Sequence, residues 1–168
     1  MTKKRKTNSV TNLKAALIDL LLEMEYSKIT IGNITQRANV SRGTFYQHFL
    51  DKDDLAYSIG TETMQRFWEI LAQGNLDKED MLLKALLLIK NDYKHFKAIS
   101  KAPHVQFKDK VQQLICDLIN NNPAIREKIK KKTKISDEIV IKAFSTSFET
   151  IISSWIDNDL SESPEKVV

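Results

Sequence analysis

The side chains best suited to recognition chemistry are concentrated in SRGTFYQHFLDK, residues 41–52. At about 100° per residue in a helix, Phe45 and Phe49 lie on one face and the other side chains point away from it. That outer face presents a guanidinium, hydroxyls, an amide and the bare backbone of Gly43. Such hydrogen-bonding groups suit the base edges and phosphates of a duplex.

No part of the sequence has the residue pattern of a catalytic or metal site. The three histidines, His48, His95 and His104, are isolated, and there is no H-E-x-x-H, C-x-x-C, G-x-S-x-G or phosphate-binding glycine loop. We therefore expect no catalytic residue, no metal ligand and no cofactor, and we predict that the protein is not an enzyme.

Two short helices and the start of a third must position the polar face. Thr30 fits the N-cap of the first helix, and Ser41 fits the N-cap of the second. Between them, Asn39 can adopt a left-handed conformation at low cost and turn the chain sharply. This pattern predicts a helix-turn-helix over about residues 30–49, whose second helix enters the DNA major groove.

A further helix begins just after the polar face. Asp51 fits its N-cap, with Asp54 at the N3 position. Lys52 lies in the first turn, where the helix dipole does not favour a cation. We therefore expect the Lys52 ammonium to meet an anion.

Composition favours long helices in a soluble protein. The 168 residues are 42% hydrophobic and 29% charged and include only 4 Gly and 3 Pro. The single cysteine, Cys116, excludes an intramolecular disulfide framework. Because no signal peptide or long apolar run is present, we expect a cytoplasmic protein without a membrane partner.

Positive charge is concentrated in the N-terminal part of the chain. Residues 1–50 carry eight Lys or Arg against three Asp or Glu, a net charge of +5, whereas residues 51–168 have a net charge of −1. Phosphate binding requires this excess in the helix-turn-helix part. Residues 1–8 are basic and too polar to fold alone, so they can be either a solvated tail or an arm that contacts phosphates or the minor groove.

Hydrophobic periodicity predicts an all-α chain. One helix should precede the helix-turn-helix, and a long one should follow it to about residue 73. We expect residues 9–61 to form a three-helix DNA-binding domain and residues 62–168 to form a helical effector and dimerisation domain. Within the second domain, the remaining helices should cover about 81–89, 93–102, 105–120 and 137–158, with 126–134 as a solvated linker.

The sequence VSRGTFYQHFLDKDDL resembles the signature of the TetR/AcrR family of bacterial transcriptional regulators, over roughly residues 6–61. The pattern Y-x-H-F-x-x-K is specific to that family. The segment SFETIISSWIDNDLSESPEKVV is similar to the C-terminal domain of a TetR subgroup that includes dihydroxyacetone kinase regulators. Two positions depart from the family: Asn39 replaces the usual glycine of the turn, and Gly32 stands where some relatives carry a base-contacting side chain.

The resemblance implies DNA roles for individual residues. Base edges would be contacted by Arg42, Gly43, Thr44 and Gln47, with Arg42 suited to a guanine. Phosphates would be contacted by Thr30, Tyr46, His48 and Lys52.

One recognition helix reads only a few base pairs, so specificity needs two. We expect a homodimer on a pseudo-palindromic, double-stranded DNA operator, with the two helices about 34 Å apart. The expected interface is the apolar stripe of the last long helix, which can equally be internal core. Its members are Phe144, Phe148, Ile151, Ile152 and Trp155.

By resemblance, the second domain binds an effector, either a small molecule or a protein partner. The candidate pocket residues are large and apolar, and each can equally belong to the core. They are Met64, Phe67, Trp68, Phe96, Phe107 and Phe148.

The sequence thus predicts an effector-responsive transcriptional repressor. The alternative is a transcriptional activator, or a helical protein-interaction module that has a DNA-binding head and no small-molecule effector. An enzyme in the second domain has no supporting residues.

Overall fold

A computed structural model of the protein describes residues 2–72, 78–130 and 135–167, and within these it contains ten α-helices and no β-strand. This confirms the predicted all-α fold. Two single turns of 3₁₀ helix, Tyr26–Lys28 and Pro103–Val105, lie between helices. The helices are α1 Thr2–Glu23, α2 Ile31–Arg37, α3 Arg42–Tyr46, α4 Lys52–Ala72, α5 Lys78–Asn91, α6 Tyr93–Ser100, α7 Phe107–Asn120, α8 Pro123–Lys130, α9 Asp137–Asp157 and α10 Pro164–Val167.

The chain divides into two compact units. The first comprises Met1–Glu62 and Lys94–Gln106, and the second comprises Thr63–Tyr93 and Phe107–Val168. Helix α4 therefore contributes its first part to one unit and its second part to the other. Residues 94–106 belong to the first unit, although residues 63–93 separate them from the rest of that unit in the sequence.

The first unit is built on the apolar stripe of α1. Leu13, Leu17 and Leu21 are almost fully inaccessible, and they share this core with Ile34 and Phe45 from the helix-turn-helix. Burying one such side chain stabilises the fold by about 1.5–3 kcal/mol. The core therefore packs α2 against α1, and α3 packs against α2.

Residues 94–106 approach α4 closely at one glycine. A Cβ atom on Gly60 would lie 2.8 Å from Cγ1 and 3.0 Å from the carbonyl oxygen of Val105. Val105 is itself buried. Only glycine at position 60 leaves room for this packing.

The second unit has its core between α7 and α9. Phe148 and Ile152 of α9 are buried, as are Val111 and Leu118 of α7. At the edge of this contact, Cys116 Sγ lies 3.0 Å from Ser145 Oγ. Helix α10 starts at Pro164, as expected from the favourable fit of proline to a first helical position.

Three elements differ from the sequence expectation. Helix α1 begins at Thr2 rather than near residue 9, so the backbone of the basic segment continues the helix. Helix α3 ends at Tyr46, where a helix to Phe49 was expected. Helix α8 occupies residues 123–130, which overlap the expected linker; the remaining linker residues, 131–134, lie outside the described part of the chain.

The linker prediction for the α8 residues was wrong, because it gave more weight to the basic charge of the segment than to its helix-forming features. Pro123 starts the helix at a position that proline favours. Ile125 and Ile129 have helical spacing in the sequence, although basic residues surround them. Across the described ranges, no helix has the length and apolarity needed to cross a membrane.

Candidate nucleic-acid interface

Helix α2 begins with a reciprocal cap. Asn33 donates its backbone N–H to Thr30 Oγ1 at 3.1 Å, and Thr30 donates its own to Asn33 Oδ1 at 2.9 Å. This confirms Thr30 as the N-cap. Its side chain is exposed at the start of α2, and its hydroxyl also bonds to Asn33 at 2.6 Å.

The turn after α2 has the left-handed residue that the sequence predicted. Asn39 has a φ of 52°, which costs a residue other than glycine about 1 kcal/mol or more. The turn is closed by a hydrogen bond of 3.0 Å from the Val40 N–H to the Thr35 carbonyl. The prediction of a tight turn at Asn39 is confirmed.

Helix α3 is capped and anchored as its sequence indicates. Thr44 donates its backbone N–H to Ser41 Oγ at 3.0 Å. Phe45 is fully buried, and Phe49 is 8% exposed. These contacts fix the direction in which the other side chains of α3 point.

The opposite side of α3 is accessible. Tyr46 is 59% exposed, and Thr44 is half-buried. The structure therefore places all four predicted base-reading positions on one short helix and its C-cap. Apart from Thr44, these are exposed: Arg42, Gly43 and Gln47.

His48 is placed differently from its neighbours. It is half-buried, and its Nε2 atom is buried without a hydrogen-bond partner among the described residues. A phosphate contact through Nε2 would therefore require the imidazole ring to turn.

The start of α4 is tied to the end of the recognition segment. Asp51 Oδ1 accepts hydrogen bonds from the backbone N–H groups of Asp53 and Asp54, at 2.9 and 2.8 Å. Asp54 Oδ2 in turn accepts from the Leu50 N–H at 2.9 Å. The predicted cap at Asp51 is confirmed.

Lys52 has partners within the protein. Its Nζ donates to the carbonyl oxygens of Tyr26 and Ile29, both at 2.9 Å, and lies 4.4 Å from the centroid of the Tyr26 ring. These partners are neutral oxygens and a ring face, and not the anion that we expected. Lys52 thus joins α4 to both ends of the 3₁₀ turn that precedes α2.

Sequence reasoning missed a polar cluster beside Lys52. The Tyr26 hydroxyl donates to Asp53 Oδ1, and Asp53 Oδ2 lies 3.5 Å from His104 Nε2. Burial, followed by the hydrogen bond to Asp53, raises the pKa of Tyr26. His104 had no motif signal, because its partners lie on distant parts of the chain.

Comparison with known proteins agrees with this geometry. A family model described as "Transcriptional regulator C-terminal region" matches residues 77–168, and one described as "Bacterial regulatory proteins, tetR family" matches residues 13–59. The chain belongs to the TetR family of bacterial transcriptional regulators. Members of this family are generally non-enzymatic DNA-binding proteins.

Curated relatives of this TetR-family chain come from Bacillus subtilis (strain 168). The fatty acid metabolism regulator protein is 21% identical over an alignment of 174 positions, which covers 93% of this chain and 88% of that protein. The uncharacterized HTH-type transcriptional regulator YxbF is 40% identical over 48 residues, which cover 28% of this chain and only 13% of that protein.

Solved structures share the fold of the TetR-family chain. A TetR transcriptional regulator from Streptococcus agalactiae 2603V has a TM-score of 0.74 at 17% identity, covering 98% of this chain and 91% of that chain. The dihydroxyacetone kinase operon activator DhaS has a TM-score of 0.62 at 19% identity, covering 95% of this chain and 89% of that chain. These neighbours show the shared fold, and the two family models confirm the TetR resemblance drawn from the sequence.

The candidate pocket residues are divided between the two units. Phe96 is buried in the first unit, and the other five belong to the second. Phe67 and Phe148 line a small apolar cavity of about 10 Å³, whereas Met64 and Trp68 are half-buried. Periodicity alone did not identify the other lining residues, which are Leu71, Ala85, Val111, Leu114, Ile115, Leu118 and Ile152.

The predicted interface stripe on α9 divides between the interior and the surface. Phe148, Ile152 and Trp155 are buried in the second unit, and the Trp155 indole donates to the Glu162 carbonyl at 2.9 Å. Phe144 is half-buried and Ile151 is 38% exposed. Of the five stripe residues, only Phe144 and Ile151 are therefore accessible to a partner.

Proposed function

We propose that this TetR-family protein is a sequence-specific repressor that binds a pseudo-palindromic operator as a homodimer. The observation that carries the proposal is the accessible polar side of α3, held on the buried Phe45 and Phe49. Hydrogen-bonding side chains on a rigid, capped helix are what reading base edges in the major groove requires. Acting on an operator, the protein would be cytoplasmic.

Two groups of residues would contact the duplex, one at base edges and one at phosphates. Arg42, Gly43, Thr44 and Gln47 would face base edges, while Thr30 and Tyr46 would contact phosphates and set the register. The net charge of +5 on residues 1–50 supports binding to a polyanion. His48 and Lys52 are the weaker members of the phosphate group, because His48 Nε2 is buried and the Lys52 ammonium already donates to two backbone carbonyls.

The outer surface of α9 supports a homodimer. From Ala143 to Ser154 its exposed side chains are uncharged, and the single charged residue in that range, Glu149, is buried. Depletion of charge is typical of the centre of a protein interface. A twofold axis would bring Phe144 and Ile151 of one chain against the same residues of a second chain.

The apolar side chains around the small cavity of the second unit are the basis on which we propose an apolar effector. All nine of its lining side chains are hydrophobic, so a polar ligand would find no hydrogen-bond partner there. Ligand sites for small molecules usually measure about 300–1,000 Å³, so the cavity of about 10 Å³ would have to open on binding. The ligand can alter operator affinity only by binding the two states of the protein unequally.

The first test is selection of bound sites from a random pool of duplexes at physiological salt. The proposal predicts enrichment of an inverted repeat that survives a large excess of random competitor. Binding that disappears under competitor would contradict sequence-specific regulation and favour the interaction module.

The effector requires a separate test, for which a saturated long-chain fatty acid is a suitable first probe. It is apolar like the cavity, and the Bacillus subtilis relative is named a fatty acid metabolism regulator. A binding effector should raise the melting temperature and weaken operator binding. If a series of apolar ligands does neither, a protein partner or an activator role becomes the better account of the second unit.

A further inference from the structure

We propose that Gly32 is a specificity-determining position, because its missing side chain leaves the space in which the guanidinium of Arg42 lies. Gly32 itself would touch no base. It would act by allowing Arg42 to take the direction from which it reads one base pair. This inference rests on the proposed DNA-reading function and deepens it.

The contact between these two residues is close. A Cβ atom on Gly32 would lie 3.0 Å from Arg42 Nη2 and 4.0 Å from Arg42 Cζ. It would also lie 3.5 Å from Thr30 Oγ1. Any side chain at position 32 would therefore compete with the guanidinium for the space beside the exposed start of α2.

The backbone gives no other reason for glycine at this position. Gly32 lies inside α2, and no glycine in the described part of the chain has a positive φ. In a helix, glycine is less favourable than alanine because it loses more conformational freedom. The space beside the Arg42 guanidinium is thus the structural feature that distinguishes glycine from alanine at position 32.

From this position the guanidinium of Arg42 is available to bind a ligand. It is exposed, and across the described ranges its guanidinium makes no hydrogen bond or ion pair with another side chain. Its backbone is fixed at the first position of α3, directly after the Ser41 cap. Five N–H donors in a rigid fork, aimed from a fixed start, suit a bidentate contact with guanine N7 and O6.

A larger side chain at position 32 should therefore cause a larger loss of discrimination between base pairs. Alanine would displace the guanidinium by a few tenths of an ångström, and leucine would exclude it. Because the neighbour is the end of a flexible side chain and not backbone, neither change should prevent folding.

The experiment compares Gly32→Ala and Gly32→Leu, each with Arg42 present and in an Arg42→Ala background. Each variant is titrated against the selected operator and against duplexes carrying the other three base pairs at the position that Arg42→Ala relaxes. Thermal melting confirms that every variant is folded.

We expect Arg42→Ala to reduce the preference for the correct base pair about 10- to 100-fold. Gly32→Leu should reduce it as much, and Gly32→Ala should give an intermediate loss. In the Arg42→Ala background neither Gly32 variant should change base preference further, although leucine can lower affinity for all duplexes equally.

Two results would overturn the inference. One is a folded Gly32→Leu variant that keeps the wild-type preference; the other is a Gly32 variant that changes preference equally with and without Arg42. A wild-type chain with no preferred site would instead refute the proposed function, and the inference with it. The titration of the wild-type chain separates these cases.

Discussion

The ammonium of Lys52 lies over the ring of Tyr26 and donates to the Tyr26 carbonyl, so α4 is attached to the turn that precedes the helix-turn-helix. A second bond from the same ammonium reaches the Ile29 carbonyl. Lys has three N–H donors, and two of them are committed to these carbonyls. On the proposed function, the same side chain would hold the first unit together and also donate to a phosphate of the duplex.

Lys52→Met separates these two roles. Loss of two charge-assisted hydrogen bonds should lower the free energy of unfolding by about 1–3 kcal/mol, measured by urea denaturation. Lys28→Met is the matched control, because Lys28 is exposed and its ion pair within the described residues is with the nearby Glu25, at 3.2 Å. Its effect should be small.

The DNA role of Lys52 has its own readout. If the third donor meets a phosphate, Lys52→Met should weaken binding to all duplexes similarly and reduce the salt slope by about one. An unchanged slope in the folded variant would restrict Lys52 to its structural role.

Arg42→Ala should act on sequence preference and leave folding intact. We expect a loss of about 1–3 kcal/mol on the preferred operator, with relaxed discrimination at one base pair. Binding assays on operator variants measure this directly. An equal loss on every sequence would assign Arg42 to the phosphates.

Tyr26 should make the first unit sensitive to high pH. Its pKa is raised by burial and by the hydrogen bond to Asp53, so its contribution to stability is complete below the unfolded value of about 10 and is lost as pH rises through the folded pKa. The neighbouring ionisable groups are Asp51, Asp53, Lys52 and His104.

Denaturation at pH 8 and pH 11 tests this effect against Tyr26→Phe, which keeps the ring and removes the hydroxyl. The wild type should lose more stability than the variant over this interval. Equal losses would show that the Tyr26 hydroxyl does not contribute to the pH dependence.

Substitutions of Asn39 should measure the backbone strain of the turn. Its φ of 52° is one that glycine adopts without penalty. We expect Asn39→Gly to change the free energy of unfolding by less than about 1 kcal/mol, and the β-branched Asn39→Val to lower it by about 1–3 kcal/mol. Thermal melts of both variants check this; similar stability for the two would contradict a left-handed residue at position 39.

Ile151→Glu should dissociate a homodimer without unfolding the chain. Ile151 is 38% exposed on α9, and Leu87 on α5 of the same unit is 37% exposed, so Leu87→Glu is a matched control. Sedimentation should give a monomer for the first variant and a dimer for the second. Two dimeric variants would remove the outer face of α9 from the interface.

Local contacts explain which features could be predicted from the sequence. The caps formed by Thr30, Ser41 and Asp51 involve residues no more than three positions away, and the turn at Asn39 depends on one residue type. Each of these leaves a signature in a short stretch of sequence. The accessible face of α3 followed from the spacing of two phenylalanines in the same way.

Contacts between distant segments could not be predicted in this way. Nothing near His104 indicates that it meets Asp53, and nothing in the first turn of α4 indicates that Lys52 reaches back to Tyr26. Periodicity on α9 correctly indicated an apolar stripe. It could not indicate that α7 covers one part of the stripe and leaves Ile151 exposed, because that depends on the tertiary fold.

The most direct test of the account is to insert five base pairs between the half-sites of the selected operator and measure the affinity of the full chain. This insertion moves the second half-site by about half a helical turn, so a dimer with two fixed heads can no longer engage both half-sites. We predict that affinity falls to that of a single half-site. Unchanged affinity for the lengthened operator would contradict recognition by a paired helix-turn-helix.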